Sequence, residues 1–299
     1  MHNTVDEFER LRPRLFAIGY RMLSSVQEAE DLVQDAWLRW YEHGGQSQSN
    51  VRNIEAWLVT MTTRMAIDRL RAARVRRESY PGFWLPEPLP ENSPATPQEV
   101  SELADDVSVA FLVLLDRLSP DARAAFLLRE VFDADFEQVA EVLGKSEAAA
   151  RQVVHRARRE LEKGRETSSA TYGHTARHEE QQQVLRSFAE ALSRGDFTAL
   201  QALFHEKAEL LSDGGGIVPS FGQVILGAHR LAAFYFAWHR KYGSAMRVEL
   251  ARLNHQWALL RYIDGRLESA QSFEVEDGRI HRVHVQRNPH KLTQLPERI

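Results

Sequence analysis

The chain has 299 residues, 43% of them hydrophobic and none of them cysteine, and a formal net charge of −4. That length suits two or three domains rather than one. The missing cysteines exclude disulfides, cysteine-ligated zinc and thiol catalysis, and no apolar run of about twenty residues is present to span a membrane. The N-terminus, Met1-His2-Asn3-Thr4-Val5-Asp6-Glu7, has neither the basic start nor the apolar core of a secretion signal, so a cytoplasmic location is expected.

The charge is unevenly placed. Residues 79–118 carry one basic and seven acidic side chains, whereas the base is concentrated in two short runs, Arg64 to Arg77 and Arg151 to Arg165. Local patches rather than the total govern contact with phosphate.

In chain order, Phe8, Leu11, Leu15, Ile18 and Met22 keep a three-to-four spacing and predict a first helix. A second pattern runs from Val26 through Leu38 to Tyr41, and the polar loop Gly44–Asn50 breaks it. A third helix is predicted from Ile54 to Arg77. Next comes Tyr80-Pro81-Gly82-Phe83-Trp84-Leu85-Pro86-Glu87-Pro88, with further prolines at 90, 94 and 97, an extended linker by composition. Helices resume near Glu99 and continue to Glu166, with Ser119-Pro120-Asp121 a capped start. Residues 167–177 form a second, polar linker.

From residue 178 the pattern changes. Val184, Leu185, Phe188 and Leu192 mark a helix ending at Gly195, Asp196 caps another through Leu203, and Ala228–Tyr242 is a third. Four alternating runs follow at Met246–Leu253, Trp257–Ile263, Ser269–Val275 and Ile280–Val285. Asp264-Gly265 and Asp277-Gly278 are tight hairpin signals. Helices followed by an antiparallel meander predict an α+β domain.

Three segments carry chemistry. Around Gly144-Lys145-Ser146, a short amphipathic helix (Phe136–Leu143) precedes a small-residue helix start that turns basic. This reads as a helix-turn-helix, with Gly144 supplying the left-handed stop and Ser146 the cap of the second helix. Ala150, Val154, Ala157 and Leu161 form its apolar stripe. Ser146, Arg151, Gln152, His155 and Arg156 are the candidate duplex contacts. The plainer reading is a helical hairpin with a solvated basic face. In the second segment, Asp31, Gln34, Asp35 and Leu38 share one helical face, an acidic face with an apolar anchor suited to a basic partner helix. Leu32, Val33, Ala36, Trp37 and Trp40 would face inward or line its edge. In the third, Arg64–Arg77 holds six arginines in fourteen residues, enough to track a phosphate backbone. The loop upstream, through Asn53, could cup an unstacked base. Trp57 fits a core better than a base stack.

In this order the three segments resemble the extracytoplasmic-function sigma factors of bacterial RNA polymerase. Glu30–Asp35 resembles the family's polymerase-binding helix, which implies Asp31, Leu32, Gln34, Asp35 and Leu38 as polymerase contacts. Arg64–Arg77 resembles its −10 recognition helix, which implies Asn53, Arg64, Arg69, Arg71 and Arg74. Phe126–Val131 with the helix-turn-helix resembles its −35-reading domain. Three further segments are similar to the signatures of the subgroup that carries a C-terminal SnoaL-like extension. They are Trp84-Leu85-Pro86-Glu87-Pro88, Asp213-Gly214-Gly215-Gly216 and Asn288-Pro289-His290-Lys291-Leu292. The chain departs from them at Pro81, where a β-branched residue is usual, and at Ile217, where a basic one is usual.

The resemblance implies a multidomain chain: two all-α sigma domains, at 1–78 and 106–167, joined by an acidic linker at 79–105 and followed by an α+β SnoaL-like cone at 178–299. It implies a non-enzymatic initiation factor without cofactor or metal, whose partners are core RNA polymerase and promoter DNA. The extension then holds the linker and sets the separation of the DNA-binding domains. The free protein is expected to be monomeric and not membrane-bound. Glu87, Glu91 and Glu99 of the linker are expected to screen the arginine runs. Two rivals remain. His205, Asp213, His229, Trp238, His239 and His284 could line a catalytic pocket, or one that senses a small molecule. Alternatively, the chain is an ordinary helix-turn-helix regulator, which would need no acidic polymerase face.

Overall fold

A computed structural model of the chain describes residues 2–43, 53–91, 107–166 and 175–297. The chain divides into two compact units. The first comprises residues 1–78, 94–107 and 112–166, and the second residues 79–93, 108–111 and 167–299.

The first unit is helical. Helix α1 (His2–Leu23) buries Phe8, Leu11, Leu15, Ile18 and Met22, the spaced apolar positions of the sequence. Ser24 turns the chain with a left-handed φ of 57°, and the Ser25 hydroxyl accepts the Glu28 N–H at the start of α2 (Val26–His43). Gly19 lets the two helices close: a Cβ there would press on Leu32 at 3.0 Å. Helix α3 (Ile54–Arg77) begins at Asn53, whose side chain accepts the Ala56 N–H at 3.0 Å. Trp57 packs against buried Trp40, ring centroids 5.4 Å apart, as a core residue would. Helix α4 (Val109–Leu115), which belongs to this unit from Leu112 on, is followed by α5 (Pro120–Phe126), capped by Ser119 and continued by one π-helical turn, Leu127–Val131. Helix α6 (Phe136–Leu143) starts on an Asp135 cap and stops at Gly144, left-handed at φ 62°. Helix α7 (Glu147–Glu166) buries the predicted stripe of Ala150, Val154, Ala157 and Leu161. The predicted helix start near Glu99 lies outside the described residues.

The second unit packs α8 (Thr175–Arg194), α9 (Phe197–Leu203) and α10 (Ala228–Tyr242) on one side of a six-stranded sheet. Its strands are β1 (Phe204–Asp213), the short β2 (Ile225–Leu226), β3 (Met246–Leu253), β4 (Gln256–Ile263), β5 (Arg266–Glu276) and β6 (Arg279–Gln286), in the order β2-β1-β6-β5-β4-β3. Strands β3 to β6 form the predicted antiparallel meander. Asp264-Gly265 and Asp277-Gly278 both take positive φ, the two-residue hairpin geometry anticipated for them. The sheet as a whole is mixed, because β1, unpredicted from the sequence, runs parallel to β6. Phe188, Phe204, Tyr235 and Phe273 fill the space between helices and sheet, Phe188 meeting the other three edge-on. Burial pushes the Tyr235 hydroxyl well above the usual phenol range, and it donates to Gln271 at 2.8 Å.

Candidate nucleic-acid interface and linker clamp

On α2, Asp31, Gln34, Asp35 and Leu38 are exposed along one face, with Leu38 at 50%. Leu32 is not on that face. It is fully buried against α1, so it supports the contact surface instead of belonging to it. The face is cross-braced from α3: Arg69 pairs with the Asp35 carboxylate and donates to the carbonyls of Glu28 (2.9 Å) and Asp31 (3.3 Å).

The remaining α3 arginines are also engaged, which the sequence did not foretell. Arg64 donates to the carbonyls of Glu141 and Val142 at the C-terminus of α6, where the helix dipole favours a cation. Arg71 pairs with Asp68 (3.0 Å) and Asp121 (2.7 Å). Arg74 donates to the carbonyls of Asp116 (3.1 Å) and Leu118, at and just beyond the end of α4. Arg76 pairs with Glu28 (3.1 Å) and Arg77 with Asp116 (3.3 Å). Beneath them, Arg123 is wholly buried. It donates to the Arg21 carbonyl (2.9 Å), the Ser24 hydroxyl (2.6 Å) and Asp116 (2.6 Å). Burial lowers the pKa of Arg123 and Arg77, against the attraction of Asp116. Periodicity could identify the basic face of α3. It could not identify the carbonyls and carboxylates, most of them 34 to 78 residues away, that meet it.

On α7, the Ser146 hydroxyl accepts the Ala149 N–H (3.3 Å), the cap expected of it. Arg151, Gln152, His155 and Arg156 are exposed together on the side opposite the buried stripe. Arg151 is braced by Glu147 (2.7 Å) and lies over the Phe136 ring (4.7 Å).

The second unit builds a different site. Residues 79–91 turn at Ser79, bend at Pro81-Gly82 and then run on without helix, with Leu85, Pro86, Glu87 and Pro88 buried. Asp213, at the end of β1, is fully buried and accepts five hydrogen bonds. Tyr80 Oη (2.6 Å) and the Gly215 N–H (2.9 Å) reach Oδ1. The Leu85 N–H (2.9 Å), Gln286 Nε2 (3.2 Å) and Lys291 Nζ (2.7 Å) reach Oδ2. Lys291 also donates to the Leu85 carbonyl (2.7 Å) and lies over the Trp84 ring at 4.1 Å. Gln286 donates to the carbonyls of Leu85 (3.2 Å) and Pro86 (3.3 Å), and Asn288 Nδ2 to Tyr80 Oη (3.0 Å). A one-turn helix, Pro289–Lys291, capped by the Asn288 side chain, aims Lys291 at this point, and Leu292 anchors it in the apolar cluster beyond β4. The glycines are required by contact. A Cβ on Gly214 would strike the Val218 carbonyl, on Gly215 the Asn288 amide and on Gly216 the ring of Pro81. Gly215 and Gly216 also take left-handed φ, 63° and 71°. The unusual Pro81 therefore fills the space over Gly216.

Further along, the Leu89 N–H donates to the Asn254 side-chain oxygen (3.1 Å) and the Leu89 carbonyl accepts the Asn254 N–H (2.8 Å), and Glu91 pairs with Arg252 (2.9 Å) and His255 (3.1 Å). Glu91 is thus paired with Arg252 inside the second unit, and Glu87 is buried there, so neither serves as a screen for the arginine runs. Glu99 lies outside the described residues.

The six residues imagined as one pocket are dispersed. Asp213 belongs to the clamp, His205 stacks on His281 (4.2 Å), and His229 meets Phe197 (5.3 Å). His239 packs on Gly195, Trp238 lies under Arg261 (3.9 Å), and His284 is buried near Glu274 (3.9 Å).

Residues 8–76 match the Sigma-70 region 2 family and residues 108–161 the Sigma-70, region 4 family. The ECF RNA polymerase sigma factor SigJ of Mycobacterium tuberculosis is 34% identical over 98% of this chain and 94% of its own length. The chain belongs to the extracytoplasmic-function sigma factors. A probable sigma factor of the same family from Mycobacterium tuberculosis, SigI, is 29% identical over 95% of this sigma factor and 93% of its own length. The crystal structure of the Mycobacterium tuberculosis SigJ protein superposes with a TM-score of 0.76 at 31% identity, covering 98% of this chain and 100% of that one. The architecture is therefore two helical sigma domains followed by a C-terminal extension of helices and a mixed sheet. No helix among the described residues is long and apolar enough to cross a membrane.

Proposed function

We propose that this chain is a promoter-specific sigma factor that carries its own regulator: the C-terminal unit grips the linker between the two sigma domains. It binds core RNA polymerase, one to one and in the cytoplasm, through Asp31, Gln34, Asp35 and Leu38 of α2. It reads the −10 element from α3 and the −35 element from α7. The observation that carries the regulatory part is Asp213, a buried carboxylate that takes donors from Tyr80 and Leu85 of the linker and from Lys291 of the C-terminal turn. A buried charge with five donors is costly to disrupt, so the grip is specific and holds at physiological salt. The α3 arginines are engaged within their own unit, by carboxylates or by helix-end carbonyls, so the free chain binds duplex DNA weakly until the polymerase draws the helical domains apart. Aromatic side chains pack the core of the C-terminal unit, and in this reading control runs through the linker grip.

The test is duplex binding with and without core polymerase, followed by fluorescence anisotropy. Promoter affinity requires the polymerase, and reversing Asp31 and Asp35 to lysine abolishes it. Tight binding of the free chain to promoter duplex, indifferent to those substitutions, would establish the plain helix-turn-helix regulator instead.

A further inference from the structure

Arg151 does not stand alone on the exposed face of α7. Its guanidinium lies 4.7 Å from the centroid of Phe136, the first residue of α6, and the guanidinium of Arg129 lies over the same ring at 5.0 Å. Arg129 is itself tied down. It donates to the Ala134 carbonyl at 2.9 Å and pairs with Asp133 at 3.6 Å, in the turn that leads into α6. On the other side, Glu147 holds one nitrogen of Arg151 from a turn earlier in α7. The ring and the two cations border an open cleft of about 440 Å³, which Glu130, His155 and Arg158 also line.

Resting on the reading of α7 as the duplex-facing helix, we propose that Phe136 is a specificity-setting residue: its ring, backed by Arg129, fixes Arg151 in the pose that reads one guanine of the −35 element. The physical argument is preorganisation. An exposed arginine has many rotamers, and most of that freedom must be given up before its fork can bind a base edge bidentately. A cation over an aromatic face loses part of that freedom before DNA arrives. The carboxylate of Glu147 orients the fork in its plane, while the planar stack leaves other guanidinium nitrogens free to donate. The partner such a fork matches is guanine, which presents O6 and N7 side by side in the major groove. Phe136 does not touch the base in this scheme. It acts through Arg151.

The experiment uses the holoenzyme, reconstituted from core polymerase and the full-length chain, with a promoter library randomised across the −35 element. The readout is base preference at each position of the recovered sequences. Arg151→Ala is expected to flatten one guanine position by about tenfold. Phe136→Leu, which keeps apolar bulk but removes the ring, is expected to weaken preference at that same position by about threefold, leaving the others intact. Phe136→Tyr restores it. A loss of preference in Phe136→Leu spread over all positions would mean a merely structural role and overturn the inference. So would unchanged preference in Phe136→Leu beside a flattened position in Arg151→Ala. If Arg151→Ala flattens nothing, the reading of α7 fails, and the inference with it.

Discussion

Replacing Asp213 by alanine removes one carboxylate and with it both direct side-chain ties from Asp213 to the linker, those of Tyr80 and Leu85. It also takes the carboxylate partner from Lys291, whose side chain is 13% exposed. Hydrogen bonds to a charged group contribute about 1.5–3 kcal/mol each. Two of them tie the linker directly, so its release becomes easier by about 3 kcal/mol even at the low end. Because each 1.36 kcal/mol is tenfold, the open fraction of this segment rises roughly a hundredfold. Amide hydrogen exchange on the full chain reads this at the Leu85 N–H. Its exchange should accelerate by about that factor. The attachment at Asn254 and Arg252 is separate, so amides at Leu89 and Glu91 should respond less. An Asp213→Ala protein that remains folded by circular dichroism, with Leu85 exchanging within threefold of the unsubstituted rate, would refute the claim that this carboxylate holds the linker.

Other perturbations test other parts of the account. Gly215→Ala forces a side chain into a left-handed φ of 63° and against the Asn288 amide. It should cost about 1–2 kcal/mol of stability in the C-terminal unit, measured by thermal melting. Arg123→Ala takes a buried donor from Ser24 and the Arg21 carbonyl and leaves the Asp116 carboxylate to Arg77, and it should cost the helical unit about 3–5 kcal/mol in urea unfolding. Lysine, with one nitrogen, should not rescue it. His284 is buried, and desolvation, helped by Arg282, holds its pKa down to about 3 against an ordinary 6.5. Between those values the unfolded chain binds a proton that the native chain refuses. Stability is therefore full above about pH 6.5 and falls as pH drops through this window, by up to about 1.4 kcal/mol per unit. His284→Gln should remove that share of the slope between pH 7 and 5 in calorimetric scans. Identical slopes for the two proteins would contradict the burial argument.

Local chemistry was legible in the sequence wherever a residue acts within a few positions of itself. Ser119, Ser146 and Asp196 all cap helices as their positions predict, Gly144 ends one, and the Asp-Gly pairs turn hairpins. Strand β1 escaped because it follows α9 with no intervening turn residue and its long partner, β6, lies some seventy residues on. Leu32 entered the contact set through the family resemblance alone, whereas the helical spacing already turned it and Val33 inward. Helical geometry rotates it inward, where Gly19 leaves room for it. The clamp was visible only as three short segments. That Tyr80, Asp213 and Lys291 meet at one carboxylate depends on the sheet carrying residues some 130 and 80 positions apart to the same end, which no periodicity encodes. The closure of α3 on its own unit is likewise long-range, held by single arginines reaching helix-end carbonyls.

The most direct test of the central claim is run-off transcription with purified core RNA polymerase, comparing the full chain, its Asp213→Ala variant and a form ending near Thr175. The account predicts specific transcripts that require the chain, with Asp213→Ala shifting their yield in the same direction as removal of the C-terminal unit. Transcripts unaffected by either change would contradict regulation through the linker. Their absence on genomic templates, beside tight binding of the free chain to duplex DNA, would contradict initiation itself.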